Sequence, residues 1–323
     1  MTRKDFAHID ASMAHPDGMK TIYADIENYD NTFYIPDEVY CERDGRQLHM
    51  QLIYPACPES MMRKQMEKRG RKALPRRAEQ TSPAYPLIVY IQGSSWLKQD
   101  LYKAIPKLSR FARLGYAVAS IEFRESESAK WPAGIRDVKT AIRFLRANAE
   151  TYGIDKDRIG VWGDSSGGHM ALMVASTGWT DEFDDGFYPE ESSAVNCCVD
   201  FYGPTSLAVL NDAPRAAAFA VPSDEASPEG KLLGVDLTKT PEAARAANPV
   251  DYIYEDKAYP PYLIMHGDED GMVPFDQSVR MYEKLKSCGK RAELYKVCGA
   301  GHGYGLWTDE ALEIVARFFK AYL

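Results

Sequence analysis

One motif constrains the fold of this chain more than any other: GDSSG, at residues 163–167. A strand-like apolar run precedes it at residues 158–163, and a helical run of small and apolar residues follows at 166–176. A serine at the centre of such a strand-to-helix turn is exposed at the edge of a sheet, and the flanking glycines let the strained turn close. The motif occurs once, in the context that it requires. It therefore predicts an α/β fold in which Ser165 is a nucleophile.

The rest of the chain alternates between strand-like and helical runs. Helices are predicted around residues 101–114, 132–153, 275–287 and 309–322, besides the one that follows the motif. Strands are predicted around residues 39–43, 48–54, 87–91, 116–123, 158–163, 195–201, 262–266 and 293–297. This alternation predicts a mainly parallel sheet covered by helices on both faces. Motifs that directly follow strands should then meet at one edge, where such sheets bind their ligands.

Three segments depart from this rhythm. Residues 1–37 show no clear periodicity and are interpreted as an N-terminal arm preceding one domain at 38–323. Residues 203–252 are too long for a simple connection and predict a small cap-like insertion over the active end of the sheet. Residues 63–77 carry eight Lys or Arg, which favours a solvated surface helix or loop over a site for acidic partners or substrates.

A nucleophilic serine needs a general base and an acid that orients it, and this type of fold places them in the order Ser, Asp or Glu, His. Asp270 is the preferred acid because it lies in a D-x-x-V-P turn beyond the predicted strand 262–266. Asp268 is the alternative, and either acid could instead cap the next helix. The predicted base is His302, which follows the last strand and has glycines on both sides.

The other five histidines are assigned different places. His8, His15 and His49 come too early in the chain to follow the acid. His169 lies inside the helix after the motif and is predicted either to pack there or to support residues of the site. His266 is predicted to cap the end of a strand.

Main-chain N–H groups are the expected donors to the oxyanion that forms during acyl transfer. Ser166 opens the helix after the nucleophile, and Ser94 and Ser95 follow the early strand 87–91. These three residues are the predicted oxyanion hole; the alternative for the early loop is an ordinary strand-ending turn.

Five aromatic residues lie close in sequence to these motifs: Trp96, Trp131, Tyr202 and Tyr304, with Trp307. They are candidate substrate contacts, and core packing is the alternative for each.

Composition limits the partners and the location. The net charge of −8 does not fit a nucleic-acid binder. No run reaches the ~20 apolar residues of a membrane helix, and residues 1–18 do not resemble a secretory signal. Six cysteines without metal-ligand or disulfide spacing indicate buried reduced thiols. A cytoplasmic location without membrane partners is therefore expected, provided that no signal was removed from the chain.

The motifs together resemble those of a known family. The run DVKTAIRFLRANAETYGIDKDRIGVWGDSSGGHMALM within 131–178, SPEGKLLG at 227–234, the turn at 266–274 and GHG at 301–303 are similar to BD-FAE and hormone-sensitive-lipase-like esterases. The resemblance covers roughly residues 38–323. It implies an α/β-hydrolase fold and a serine esterase without metal or cofactor, in which Ser165, Asp270 and His302 match the family's triad. The oxyanion loop departs from it, because QGSSW at 92–96 stands where the family has H-G-G-G-W or H-G-G-x-W.

The resemblance also implies a class of substrates. Members of the family act on acetyl or hydroxycinnamoyl esters, including those of plant polysaccharides, so a small-molecule or oligosaccharide ester is expected, with a monomer or homodimer as the active form. The alternatives are an arylformamidase, an acylaminoacyl or prolyl-type peptidase and, with all three triad residues present, less readily a non-catalytic binding module. Non-glycine residues tolerate positive φ poorly, so the serines in the oxyanion loop are expected to change its geometry.

Overall fold

The computed structural model describes residues 32–56, 58–68, 84–210 and 222–323, together with Lys20 and Gly70. The description below concerns the compact unit Asn31–Leu323. Most of the arm proposed at 1–37 lies outside the described residues. The first strand begins at Phe33, six residues before its predicted start.

Eight strands form one sheet in the order β1-β2-β4-β3-β5-β6-β7-β8. β2 pairs antiparallel with β1 and β4, and every other neighbouring pair is parallel, which confirms the predicted mainly parallel sheet. The strands are β1 Phe33–Arg43, β2 Arg46–Tyr54, β3 Tyr85–Ile91, β4 Ala117–Ile121, β5 Ile154–Asp164, β6 Cys197–Phe201, β7 Tyr262–Gly267 and β8 Ala292–Val297.

Helices cover both faces of this sheet. They are α1 Glu59–Lys68, α2 Ile105–Arg113, α3 Ala133–Ala147, α4 Ala149–Tyr152, α5 Ser166–Ser176, α6 Pro228–Leu233, α7 Asp276–Ser287 and α8 Asp309–Tyr322. α2 begins later than residue 101 because Pro106 is tolerated only in the first turn of a helix. The helix predicted at 132–153 is interrupted at Asn148, which separates α3 from α4.

The side chains of β3 alternate between two apolar layers. Leu87, Val89 and Ile91 contact the layer that contains α3 and α5. Ile88 and Tyr90 contact the opposite layer, which contains α2 and α8. Because both faces are covered, β3 reads in sequence as a nearly continuous apolar run rather than an alternating one. This arrangement holds the carboxyl ends of the parallel strands in fixed positions at one edge.

Two of the irregular segments are described only in part. In the insertion proposed at 203–252, residues 211–221 lie outside the described residues; the remainder contains α6 and the 3₁₀ turns Pro241–Ala247 and Pro249–Tyr252. In the basic stretch 63–77, α1 covers residues up to Lys68, and Lys64 pairs there with the Glu38 carboxylate. The role proposed for this stretch thus falls mainly outside the described part of the chain.

The described helices and cysteines can be compared with the composition argument. None of the helices in the described ranges is both long and apolar enough to cross a bilayer. Cys41, Cys197 and Cys198 are buried, whereas Cys288 is half-buried and Cys298 is exposed. Burial was therefore correctly predicted for three of the described cysteines and wrongly for Cys298; Cys57 lies outside the described residues.

Candidate active site

Ser165 occupies a sharp turn between β5 and α5. Its backbone has φ 53° and ψ −126°, a conformation that costs energy in a residue with a Cβ and is found mainly where the surroundings enforce it. Two glycines allow the turn. A Cβ at Gly163 would lie 2.1 Å from the Gly167 carbonyl oxygen, and one at Gly167 would lie 2.0 Å from the Ile91 carbonyl oxygen. The GDSSG motif therefore forms the strained turn that its sequence predicts.

The three predicted triad residues come together from the ends of three strands. Ser165 Oγ lies 2.8 Å from His302 Nε2, and His302 Nδ1 lies 2.8 Å from Asp270 Oδ2. A carboxylate only accepts hydrogen bonds, so Nδ1 carries the proton and Nε2 is left to accept from the serine hydroxyl. This is the geometry in which an imidazole can act as the base for a serine.

The Asp270 carboxylate is completely buried and held by four donors. Oδ1 accepts from the main-chain N–H groups of Met272 and Val273, at 2.8 and 2.9 Å. Oδ2 lies 2.8 Å from His302 Nδ1 and 3.2 Å from His266 Nε2. Burial opposes ionisation, but the hydrogen bonds from His266 and His302 outweigh it and hold the pKa of Asp270 well below its usual range. The carboxylate is therefore charged and able to orient His302.

His266 has a position that sequence reasoning did not identify. Besides Asp270, its Nε2 faces the Val273 carbonyl oxygen at 3.0 Å, and its Nδ1 lies 2.7 Å from Ser278 Oγ. Both partners of Nε2 are acceptors, so this nitrogen carries a proton and donates to the carboxylate. In sequence, His266 is only the last polar residue of a strand, and nothing distinguishes it from a strand cap.

Asp268, the alternative acid, lies in a different environment from the preferred Asp270. Asp268 is exposed; its Oδ1 accepts from the Gly299 N–H at 2.7 Å, and its Oδ2 lies 3.6 Å from Lys296 Nζ. Asp268 thus links the ends of β7 and β8, and Asp270 is the acid that contacts His302.

The three predicted oxyanion donors differ in their hydrogen bonds. The Ser94 N–H donates to Ser166 Oγ at 2.8 Å, so it is already paired. Among the described residues, no acceptor is recorded for the main-chain N–H groups of Ser95 and Ser166. Ser95 and Trp96 adopt φ values of 55° and 57°. Two non-glycine residues of this loop thus adopt the left-handed conformation, and the expected difference from the family's glycine loop stays a prediction.

Asp164 and Gln92 hold the oxyanion loop in place. Asp164 Oδ1 accepts from the Gly93 N–H at 3.0 Å and from the Tyr90 hydroxyl at 2.6 Å, and Oδ2 accepts from the Tyr202 hydroxyl at 3.3 Å. Gln92 Oε1 accepts from the Asp100 N–H at 2.6 Å. Sequence reasoning missed the role of Asp164 because this position in the motif tolerates any residue.

A cavity of about 370 Å³ opens beside Ser165 and His302. Only one of the four aromatic residues proposed to contact substrate lines it. Tyr202 lines it, with its ring 4.8 Å from that of His302. Trp96 is buried and donates from Nε1 to His169 Nδ1 at 3.1 Å. Trp131 packs against His169 and Phe183.

Trp96 is therefore a core residue, and Trp131 is half-buried and packs against the core. Tyr304 is 82% exposed and does not line the cavity either. Trp307, named with these residues, does line it and donates from Nε1 to the Tyr202 hydroxyl at 3.2 Å. Lys103, Lys107 and Met272 also line the cavity. The lysines belong to no motif, and Met272 occupies one of the two unspecified positions of the D-x-x-V-P turn.

A second buried carboxyl, Asp200, lies on β6 close to the start of α5. Its Oδ1 accepts from the Gly203 N–H at 3.0 Å, and its Oδ2 has no partner in the described part of the chain. Burial raises the pKa of Asp200 to about 8. In the unfolded chain an aspartate ionises near pH 4. Between about pH 4 and 8 the folded state therefore keeps a proton that the unfolded state loses, and this group lowers stability as the pH rises.

We expect Asp200→Asn to remove this dependence. From pH 5 to pH 7.5 the free energy of unfolding of the variant should rise relative to that of the wild type, by at most about 1.4 kcal/mol per pH unit. Urea denaturation at both values measures it, with Asp276→Asn on the exposed side of α7 as the matched control. An unchanged difference between variant and wild type at the two pH values would show that Asp200 is ionised in the folded protein.

Comparisons with known proteins identify similar esterases. The sequence model of the BD-FAE family matches residues 74–285. Esterase LipC of Mycobacterium tuberculosis is 28% identical over 70% of this chain and 54% of its own length. The probable carboxylic ester hydrolase LipM of the same organism is 31% identical over 65% of this chain and 47% of its own length. The chain thus spans about half the length of these curated relatives.

One solved structure extends the similarity to nearly the whole fold. It is a truncated form of a carbohydrate esterase from gut microbiota, with a TM-score of 0.71 and 27% sequence identity. The alignment covers 92% of this chain and 98% of that one. The two proteins therefore share most of their architecture.

Proposed function

From the premise that the chain belongs to the BD-FAE family of α/β-hydrolases, we propose that it hydrolyses carboxylic esters through an acyl-enzyme on Ser165. The observation that carries this proposal is the continuous hydrogen-bonded chain from Ser165 through His302 to Asp270. The named relatives, LipC and LipM, are an esterase and a probable carboxylic ester hydrolase. The membership also agrees with the resemblance that the sequence motifs indicated.

The reaction would begin when the Ser165 hydroxyl attacks the acyl carbon and His302 Nε2 takes its proton. Asp270 keeps the proton of His302 on Nδ1 and stabilises the imidazolium that forms. The tetrahedral oxyanion would accept hydrogen bonds from the Ser95 and Ser166 N–H groups, with the Ser94 N–H joining if it releases Ser166 Oγ. His302 then protonates the leaving alcohol, and water releases the acid by the same steps in reverse.

The substrate proposed for this site is a short-chain acyl ester of a carbohydrate. A cavity of about 370 Å³ lies near the lower end of the range for ligand sites, which favours an acetyl or similarly small acyl group. One similar solved structure is that of a carbohydrate esterase, which supports a sugar as the alcohol half of the ester. Hydroxycinnamoyl esters remain in the proposal, since aromatic Tyr202 and Trp307 line the cavity.

Initial rates on a substrate panel test the proposal. We expect kcat/KM for p-nitrophenyl acetate to exceed that for p-nitrophenyl octanoate by about tenfold or more, because each misplaced methylene loses burial in a small pocket. Acetylated xylan and methyl ferulate compare the two proposed acyl groups. N-formylkynurenine and an aminoacyl nitroanilide represent the formamidase and peptidase alternatives, and faster turnover of either would replace the ester assignment.

A further inference from the structure

Two lysines line the cavity that holds the nucleophile. Lys103 lies two residues before α2, and Lys107 lies in its first turn. Both side chains reach solvent, and the Lys107 ammonium is 4.3 Å from the centroid of the Trp307 ring. The chain as a whole carries a net charge of −8, so this local concentration of positive charge runs against the overall balance.

Neither ammonium has a carboxylate within 4.0 Å in the described parts of the chain, whereas lysines elsewhere, such as Lys64 and Lys239, do form ion pairs. The one acidic side chain among the cavity's lining residues is Asp164. Its oxygens already accept from Tyr90, Gly93 and Tyr202. Two lysines against this one carboxylate leave the lining with one positive charge in excess.

The position of the two lysines is unfavourable for the helix itself. The N-terminus of a helix carries a partial positive charge, which favours acidic side chains and disfavours cations in the first turn. α2 has no acidic residue in its first turn. Burial and the neighbouring Lys103 lower the pKa of Lys107, although Asp164 opposes them. The helix N-terminus and the two ammonium groups thus place positive charge on this side of the cavity, which an anion would offset.

We propose that Lys103 and Lys107 bind a carboxylate on the substrate, so that the enzyme prefers esters that carry a negative charge close to the scissile bond. The inference rests on the proposed esterase function and deepens it by naming the charge of the substrate. The carboxylate could belong to either half of the ester. A dicarboxylic half-ester carries it on the acyl side. A uronic acid that is acylated on a hydroxyl group carries it on the alcohol side.

Matched pairs of esters distinguish the two sources. Monomethyl succinate against methyl succinamate places a carboxylate or a neutral amide on the acyl side. 4-Acetoxybenzoate against 4-acetoxybenzamide places the same two groups on the alcohol side. For one of these pairs we expect kcat/KM to be about tenfold higher for the carboxylate, which corresponds to about 1.4 kcal/mol. The preference should fall with added salt, because both lysines reach solvent.

Substitutions connect the preference to these two side chains. In the double variant Lys103→Gln with Lys107→Gln, the ratio of kcat/KM between carboxylate and amide should fall to about one. Lys286→Gln, an exposed lysine on α7, is the matched control and should keep the wild-type ratio. Melting temperatures of the three proteins show whether the fold is retained, and competitive inhibition by benzoate against benzamide gives a binding readout that does not depend on turnover.

Either of two results would overturn the inference. One is equal kcat/KM for carboxylate and amide in both pairs with the wild-type protein. The other is a preference that persists unchanged in the double variant. In both cases Ser165-dependent hydrolysis of neutral esters would leave the proposed function standing. Absence of turnover with every ester would instead remove the proposed function, and the carboxylate site with it.

Discussion

Replacement of Ser165 by alanine is expected to lower kcat/KM for short-chain esters by about 10⁴-fold or more, the scale found when a serine nucleophile is removed from a triad. The variant loses only Oγ, which lies 2.8 Å from His302 Nε2. Alanine keeps a Cβ at the same backbone conformation, φ 53°, so the turn gains no new strain. Its main-chain N–H still donates to the Phe201 carbonyl oxygen at 2.8 Å.

Initial rates and the melting temperature together measure this effect. Ser287→Ala, at the exposed end of α7, is the matched control and should retain wild-type rates. A fluorophosphonate probe should label the wild type and the control but not Ser165→Ala. Retained turnover in Ser165→Ala with a normal melting temperature would show that another group attacks the ester.

Replacement of Asp270 by asparagine is expected to lower kcat on the order of 10⁴-fold, as when the triad carboxylate of a serine protease is converted to an amide. The main-chain N–H groups of Met272 and Val273 require an acceptor at the Oδ1 position. The amide oxygen must then occupy that position, and the NH₂ group faces His302 Nδ1. His302 Nδ1 is then forced to accept a hydrogen bond. His302 Nε2 therefore carries the proton and cannot take one from Ser165.

Asp268→Asn provides the matched control, because it makes the same chemical change two residues away. Asp268 contacts Gly299 and Lys296 rather than His302, so its variant should stay within about twofold of wild-type kcat, as expected for a surface substitution. A larger loss in Asp268→Asn than in Asp270→Asn would reverse the assignment of the acid. The pH dependence of kcat for both variants gives a second readout, because only Asp270→Asn changes the protonation of His302.

Much of the fold follows from local patterns in the sequence. All eight predicted strands are present, since a short apolar run with turn residues at its ends is a local signal for a strand. The boundaries are less well predicted. α2 starts after the turn at 101–104, and the first strand extends back to Phe33, because hydrogen bonds to neighbouring segments decide where an element ends.

The burial of aromatic side chains was harder to predict. Trp96 and Trp131 lie as close in sequence to the motifs as Tyr202 and Trp307 do. Contacts with His169 distinguish the first pair, since this histidine accepts a hydrogen bond from Trp96 and packs against Trp131. Its Nε2 in turn donates to the Ala247 carbonyl oxygen, at 2.7 Å, in a 3₁₀ turn far along the chain. A contact across 78 residues leaves no local pattern.

The sequence by itself determined the architecture, the strained turn at Ser165 and the order in which the candidate acid and base follow it, because each depends on residues adjacent in the chain. The tertiary structure decided which acid reaches His302, which oxyanion N–H groups are unpaired and which charges line the cavity. Asp268 and Asp270 lie in one turn, where the sequence favours Asp270 but keeps Asp268 as the alternative. They differ only because the packing of β8 beside β7 turns one carboxylate toward Gly299 and buries the other against His302 and His266.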